Sequence, residues 1–271
     1  MGWRFVSTLY TWGMTRSQLL VSTPPTDQTG PTSRYSLLLT RDDAHVEAAQ
    51  RLRYRVFAEE MGATLPNAAA AIDTDRFDGH CDHLVVRADR TGEIVGTYRM
   101  LPPERTSAAG GYYSETEFDL QAFAGLRPTL VEAGRACVHP EHRSGAVVSL
   151  IWAGIARYLL LTGHSHLMGC ASVALDDGGA LAAGVWDIAR AKHLSPPELR
   201  VTPKDAWDVD AVARDRRALV PPLLRGYLRL GAWVCGPPAL DRDFSVADLL
   251  VLLSLDRIDP RYLRFFLGAP A

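Results

Sequence analysis

From Tyr35 onward the apolar positions recur with regular periods. SLLLT (36–40) reads as a short strand, and AHVEAAQRLRYRVFAEEMG (44–62) sets Val46, Ala49, Leu52, Val56 and Phe57 on one helical stripe. Asp43 is placed to cap that helix and Gly62 to end it. HLVVRAD (83–89) and EIVGTYRML (93–101) flank Arg90-Thr91-Gly92, a hairpin pattern in which glycine supplies the positive φ. LVEAGRACV (130–138) predicts a core strand, AVVSLIWAGIARYLLLTG (146–163) a helix apolar around its circumference, and HLMGCASVAL (166–175) another strand. PPLLRGYLRLG (221–231) restarts a helix, and DLLVLLSL (248–255) is a fully apolar strand. The order predicts an α/β fold with a mixed central sheet and helices on both faces.

Two stretches lack such a period. Residues 1–33, with STPPTDQTGPTS, predict a poorly ordered leader in which Met14 is an alternative start, and residues 176–220 predict an irregular insertion in a single domain over 34–271. No run approaches the roughly 18 continuous apolar residues of a membrane span.

Composition narrows the function classes. With 29 basic and 31 acidic residues the net charge is -2, which gives no general attraction to nucleic acid. Cys81, Cys137, Cys170 and Cys235 are far apart, so neither a disulfide framework nor a zinc ribbon is indicated, and a reducing cytoplasm suits them. A metal site from Cys81, His83, His139 and His142 lacks ligand spacing, and none is expected. Cys137 with His139 fits a buried small hydrophobe better than a nucleophile pair.

Several charges interrupt apolar segments where packing alone would not put them. Arg53 and Arg55 lie within the first helix, Arg99 within a strand, and Glu132 and Arg135 within another. Positions 132 and 135 point to opposite strand faces unless a bulge intervenes. DTDRFDGHCDH (73–83) adds Asp73, Asp75, Asp78 and Asp82 before a strand. Structural ion pairs are the plain alternative for each of these residues.

The blocks LRYRVF and EEMG (52–62), FDGHCDHLVV (77–86), GTYRMLPP (96–103), YYSETEFDL (112–120), EAGRACVHPEHR (132–143), PPLLRGYLRLGAWV (221–234) and RIDPRYLRFF (257–266) resemble the bacterial L-ornithine Nα-acyltransferases. The chain is more distantly similar to the acyl-homoserine-lactone synthases. The resemblance implies a GNAT fold and transfer of a 3-hydroxy fatty acyl group from acyl carrier protein to the α-amine of L-ornithine, giving lyso-ornithine lipid. The shared pattern falls on Arg53 and Phe57, Asp75 and Asp78, Arg99, and Glu132 and Arg135. It implies Glu132 as the base with Arg135 beside it, and Arg53, Phe57, Asp75, Asp78 and Arg99 as substrate-binding residues.

Acetyl-CoA enzymes of this fold carry Q/R-x-x-G-x-G/A before the long helix, where bare backbone N–H groups bind pyrophosphate. Here Arg143-Ser144-Gly145-Ala146-Val147-Val148 keeps the arginine and replaces the later glycine positions. That favours an acyl-phosphopantetheine thioester as co-substrate, with His142, Arg143 and Gly145 as donor-binding candidates and no permanently bound cofactor. A cytoplasmic enzyme touching the inner face of the membrane fits a lipid product. The competing readings are an N-acyl amino-acid or acyl-homoserine-lactone synthase, and a non-catalytic lipid- or carrier-binding module.

Overall fold

The computed structural model describes residues 16–23, 34–143, 145–215 and 217–267. These residues cluster into two compact units. One draws on the described residues of Met1–Met100, Gly134–Gly163 and Pro260–Leu267, the other on those of Leu101–Ala133 and His164–Asp259.

The first unit holds β1 (Ser17–Ser22), β2 (Tyr35–Thr40), β3 (Asp82–Ala88), β4 (Ile94–Leu101) and the second half of β6 (Leu130–Val138), adjacent in that order. β1 to β4 pair antiparallel. β1 corrects the expectation of a structureless leader. Leu19-Leu20-Val21 is a short apolar run that lies along β2, burying Leu20 and Val21, while Arg157 donates to the Leu20 carbonyl at 2.7 Å. The rest of that expectation, at residues 1–15 and 24–33, lies outside the described residues.

Helix α1 (Asp43–Tyr54) is capped by Asp42 rather than Asp43, the Asp42 carboxylate accepting from the Ala44 and His45 N–H groups. It continues as a π-helical turn, Arg55–Glu60, and Gly62 ends the segment at φ 76°. The strand period explains how the unit is layered. Leu84 faces α3 (Gly145–Thr162), whose Gly154 lies so close that a Cβ there would meet Leu37 at 2.4 Å and Leu84 at 3.4 Å. Asp82, two residues earlier on the same face, accepts from Tyr158 of α3 at 2.7 Å. His83 and its cross-strand partner Arg99 turn to the other face, where α1 lies.

By length and composition α3 is apolar enough to cross a bilayer, although Ser149 and Arg157 interrupt its apolar run. It is instead a core helix, packed on β1, β2 and β3, with Val147, Leu150, Ile151, Ile155 and Leu159 buried. α6 (Pro260–Leu267) packs beside it.

The second unit contains α2 (Pro103–Ala109), the two-residue ladder of β5 (Phe118–Asp119) with β8 (Thr202–Pro203), and the first half of β6. β7 (His166–Ala174), β11 (Val246–Ser254) and β10 (Ala239–Asp241) follow β6 in the sheet, and β9 (Trp233–Val234) also pairs with β11. β11 pairs antiparallel with β7 over nine residues. Two helices complete the unit, α4 (Ala180–Lys192) and α5 (Pro222–Arg229). α4 corrects the irregular insertion expected at 176–220: Ala182, Ala183, Val185, Trp186 and Ala189 give it a buried face.

β6 is parallel to β7, but their ladder covers only Leu130 with His166, Val131 with Leu167 and Glu132 with Met168. At its end the Ala133 carbonyl crowds Gly169 so closely that a Cβ there would lie 2.3 Å away. Gly169→Ala should therefore lower stability by about 1–3 kcal/mol, because a backbone atom must shift. Gly125→Ala, with no atom within 4 Å, should change little. Paired thermal melts of the two variants measure the difference.

Candidate active site

Arg53, wholly withdrawn from solvent, is the centre of the charge cluster in the first unit. Its guanidinium donates to both oxygens of Asp78, at 2.9 and 2.7 Å, and to the Asp73 carbonyl at 2.5 Å, while its Nε lies 2.8 Å from Asp73 Oδ2. Arg99, on β4, donates to Asp75 at 2.6 Å and to Asp78 at 3.1 Å, with its guanidinium 5.5 Å from the Phe77 ring centroid. Arg135 reaches Asp73 at 3.3 Å and Asp75 at 3.6 Å. The structure thus brings together Arg53, Asp75, Asp78, Arg99 and Arg135, with Asp73 added. Phe57 is buried in the π-helical turn that follows Arg53.

The members differ in access. Arg53 and Asp78 are enclosed and occupied by each other, whereas the side chains of Asp75 and Arg135 are 22% and 15% exposed. Burial opposes ionisation of Asp78, but hydrogen bonds and charge from Arg53, then the charge of Arg99, hold its carboxyl well below the usual range. His83 donates through Nε2 to the Asp78 carbonyl at 3.1 Å. Burial lowers its pKa to about 4, only partly offset by Asp78.

Arg135 adopts φ 54°, a left-handed backbone rare for a residue with a side chain. Such an irregularity is the condition under which strand positions 132 and 135 need not face opposite sides. Glu132, in the second unit, accepts from the backbone N–H groups of Tyr113 and Ser114, both at 2.7 Å. It anchors the turn Tyr113–Thr116, and Tyr112 donates to the Leu130 carbonyl at 2.8 Å.

Sequence reasoning missed a second polar group in this unit. Glu117, Cys170 and Asp248 bring their acidic oxygens and thiol sulfur within 4.8 Å of one another, and Ser114 Oγ lies 3.6 Å from Cys170 Sγ. Burial, then the charges of Asp248 and Asp241, push Glu117 up to about 8. The signals were a carboxylate within YYSETEFDL and another opening the apolar run DLLVLLSL, but 131 residues separate them. Such a set could hold a cation, as could His139, Glu141 and His142, whose donor atoms also gather within 4.8 Å.

The donor-binding candidates lie in the first unit. Arg143 is held by Glu60 through two 2.6 Å hydrogen bonds and donates to the Val138 carbonyl at 3.2 Å. His142 Nδ1 is 2.9 Å from the Tyr35 hydroxyl, and Gly145 opens α3 with nothing within 4 Å of where a Cβ would stand. Burial pushes the Cys137 and Cys235 thiols up to about 12, and burial followed by the charge of Glu117 raises Cys170 well above its ordinary value.

His83 sets a pH signature. Its folded pKa lies below its ordinary value of 6.5, so its contribution to stability is complete above pH 6.5 and is lost as pH falls towards 4. The stability gap between wild type and His83→Gln, which can keep the donor to Asp78, should shift by up to about 3 kcal/mol between pH 7 and pH 4. Urea unfolding at several pH values measures it; parallel curves would contradict the buried neutral imidazole.

The acetyltransferase (GNAT) domain model matches residues 52–153. The L-ornithine N(alpha)-acyltransferase of Brucella abortus (strain 2308) is 37% identical over 258 residues, covering 86% of this chain and 88% of that protein. That of Rhizobium meliloti (strain 1021) is 34% identical over 278 residues, covering 93% and 90%. Among solved structures, a CoA-dependent acyl-homoserine lactone synthase with SAM and isopentyl-CoA is similar at a TM-score of 0.49 and 16% identity, over 84% of this chain and 85% of that one. The α/β architecture is that of the GNAT acyltransferases, and with identity above a third carried over most of its length, the chain belongs to the L-ornithine N(alpha)-acyltransferases.

Proposed function

We propose that this acyltransferase moves a 3-hydroxy fatty acyl group from the phosphopantetheine thioester of acyl carrier protein to the α-amine of L-ornithine, forming lyso-ornithine lipid. The acceptor follows from the activity named for the relatives. The observation that carries the site is β6, which bears Glu132 and, three residues on, Arg135 in a left-handed kink.

The α-ammonium must lose a proton before it attacks. The Tyr113 and Ser114 N–H groups orient the Glu132 carboxylate, which takes that proton directly or through water. The amine then attacks the thioester carbon, the C–N bond forms and negative charge gathers on the former carbonyl oxygen. A strand N–H displaced by the kink is the kind of donor that stabilises it. Collapse breaks the C–S bond while the nitrogen, cationic after attack, gives up its second proton to the leaving sulfur, and the proton taken first passes from Glu132 to solvent. Arg135 holds the acceptor carboxylate and Asp75 its side-chain ammonium, these being the partly exposed members of a cluster that Arg53, Asp78 and the buried Arg99 keep rigid. No bound cofactor enters the scheme.

Glu132→Gln tests the base. It should lower kcat/KM by about 10² to 10⁴ near neutral pH, and the deficit should shrink as rising pH frees the amine without help. The amide also turns a donor towards one backbone N–H, so the variant should melt lower. A deficit constant from pH 6 to 9 would leave Glu132 only its anchoring role.

The donor is tested by giving one acyl chain on both carriers. Ala146 and Val148 put bulk where a pyrophosphate would approach α3, and Arg143 can meet a single phosphate by exchanging its Glu60 partner for it. The carrier-protein thioester should give the higher kcat/KM, and Arg143→Ala should narrow the gap. Equal values, or a CoA preference, would overturn the donor assignment.

A further inference from the structure

The second unit carries a basic surface that the proposed chemistry does not use. From Arg216 to Leu240 the sequence has no acidic residue and four arginines, 216, 217, 225 and 229, in a protein whose net charge is -2. Within α5, Pro222, Arg225 and Arg229 share one helical stripe and all three are exposed, while Leu224 and Tyr227 bury the opposite face. Arg217 and Leu219, just before the helix, are exposed as well, Leu219 to 78%.

Elsewhere in the unit, arginines are tied to carboxylates: Arg214 to Asp187 and Asp210, Arg190 to Asp187, Arg242 to Asp205. Among the described residues, no ion pair involves Arg217, Arg225 or Arg229. Asp215 is nearby, and its carboxylate accepts from the backbone N–H of Arg217. A bare leucine flanked by unpaired guanidinium groups has a definite complement. The apolar side chain gains by leaving water for the acyl boundary, and the arginines meet lipid phosphates, which they bind in a bidentate fashion.

We propose that residues 217–229 dock this enzyme on an anionic membrane surface, with Leu219 entering the interface and Arg217, Arg225 and Arg229 on the headgroups. The inference rests on the proposed function in one respect only, that an N-acylated product with a fatty chain belongs in a bilayer. A bilayer fits better than an acidic carrier protein because the exposed Leu219 calls for an apolar layer beside the anionic groups that the arginines meet.

The experiment is sedimentation of the full chain with vesicles, without substrate, so it is independent of turnover. Wild type should bind vesicles of phosphatidylglycerol and phosphatidylcholine, bind pure phosphatidylcholine weakly, and lose the difference at high salt. Arg217→Glu/Arg225→Glu/Arg229→Glu should bind the anionic vesicles at least on the order of 10²-fold more weakly, each lost arginine being worth about fivefold. Leu219→Ser should weaken binding several-fold, and both variants should keep the wild-type melting temperature because these side chains are exposed. Failure of wild type to bind anionic vesicles, or equal binding by the triple variant, overturns the proposal. A triple variant that binds vesicles normally but loses kcat/KM with soluble acyl carrier protein also overturns it and reassigns the surface to the carrier. Wild type that binds the anionic vesicles but transfers no acyl group to ornithine would overturn the proposed function alone.

Discussion

A guanidinium withdrawn entirely from water must be answered by opposite charge, and in this protein Arg53 imposes that condition on its unit. Answering it draws the segment with Asp73 and Asp78 against α1 and fixes β4 through Arg99, while Asp73 and Asp75 engage Arg135 of β6. Each partner is held by more than one other. Removing one charge from such a group typically costs about 3–5 kcal/mol, because the survivors stay buried without compensation. The cluster is thus a mutually determined scaffold. Its accessible members, Asp75 and Arg135, gain fixed orientations from enclosed ones that no substrate needs to touch.

β6 translates that rigidity into chemistry. Its first three residues form a regular parallel ladder, and its sixth takes a conformation that L residues avoid. Such a kink persists only where surroundings over-determine it, here through the carboxylates holding the Arg135 side chain. Glu132 is fixed differently, by two backbone amides of a tight turn. One strand therefore carries two charges set by unrelated constraints, each in its own unit.

The regular elements were legible because their periods are strong. The β3–β4 hairpin, β6, α3, β7 and β11 follow directly from apolar spacing. β1 was not, because a three-residue apolar run next to a Ser/Thr/Pro-rich stretch looks like a linker until β2 offers an edge to pair with. α4 was hidden by Gly178, Gly179 and the prolines that follow it, although its small apolar residues form a buried face. The charged cluster could be suspected residue by residue, but only family resemblance grouped Arg53, Asp75, Asp78, Arg99, Glu132 and Arg135. Spacing alone put Glu132 and Arg135 on opposite faces, and the left-handed residue that alters this geometry is an arginine, which carries no turn signal. Glu117, Cys170 and Asp248 were illegible for a simpler reason: three distant segments, none unusual alone, meet through sheet pairing and a short turn.

Burial of the cysteines has a consequence for an enzyme that handles activated acyl groups. Thioesters exchange with thiolates, not with neutral thiols. Cys137, Cys170 and Cys235 are kept protonated by their surroundings, and Cys81 is buried. Thiols held neutral compete poorly for a thioester of the proposed kind, which leaves the activated chain to the incoming amine.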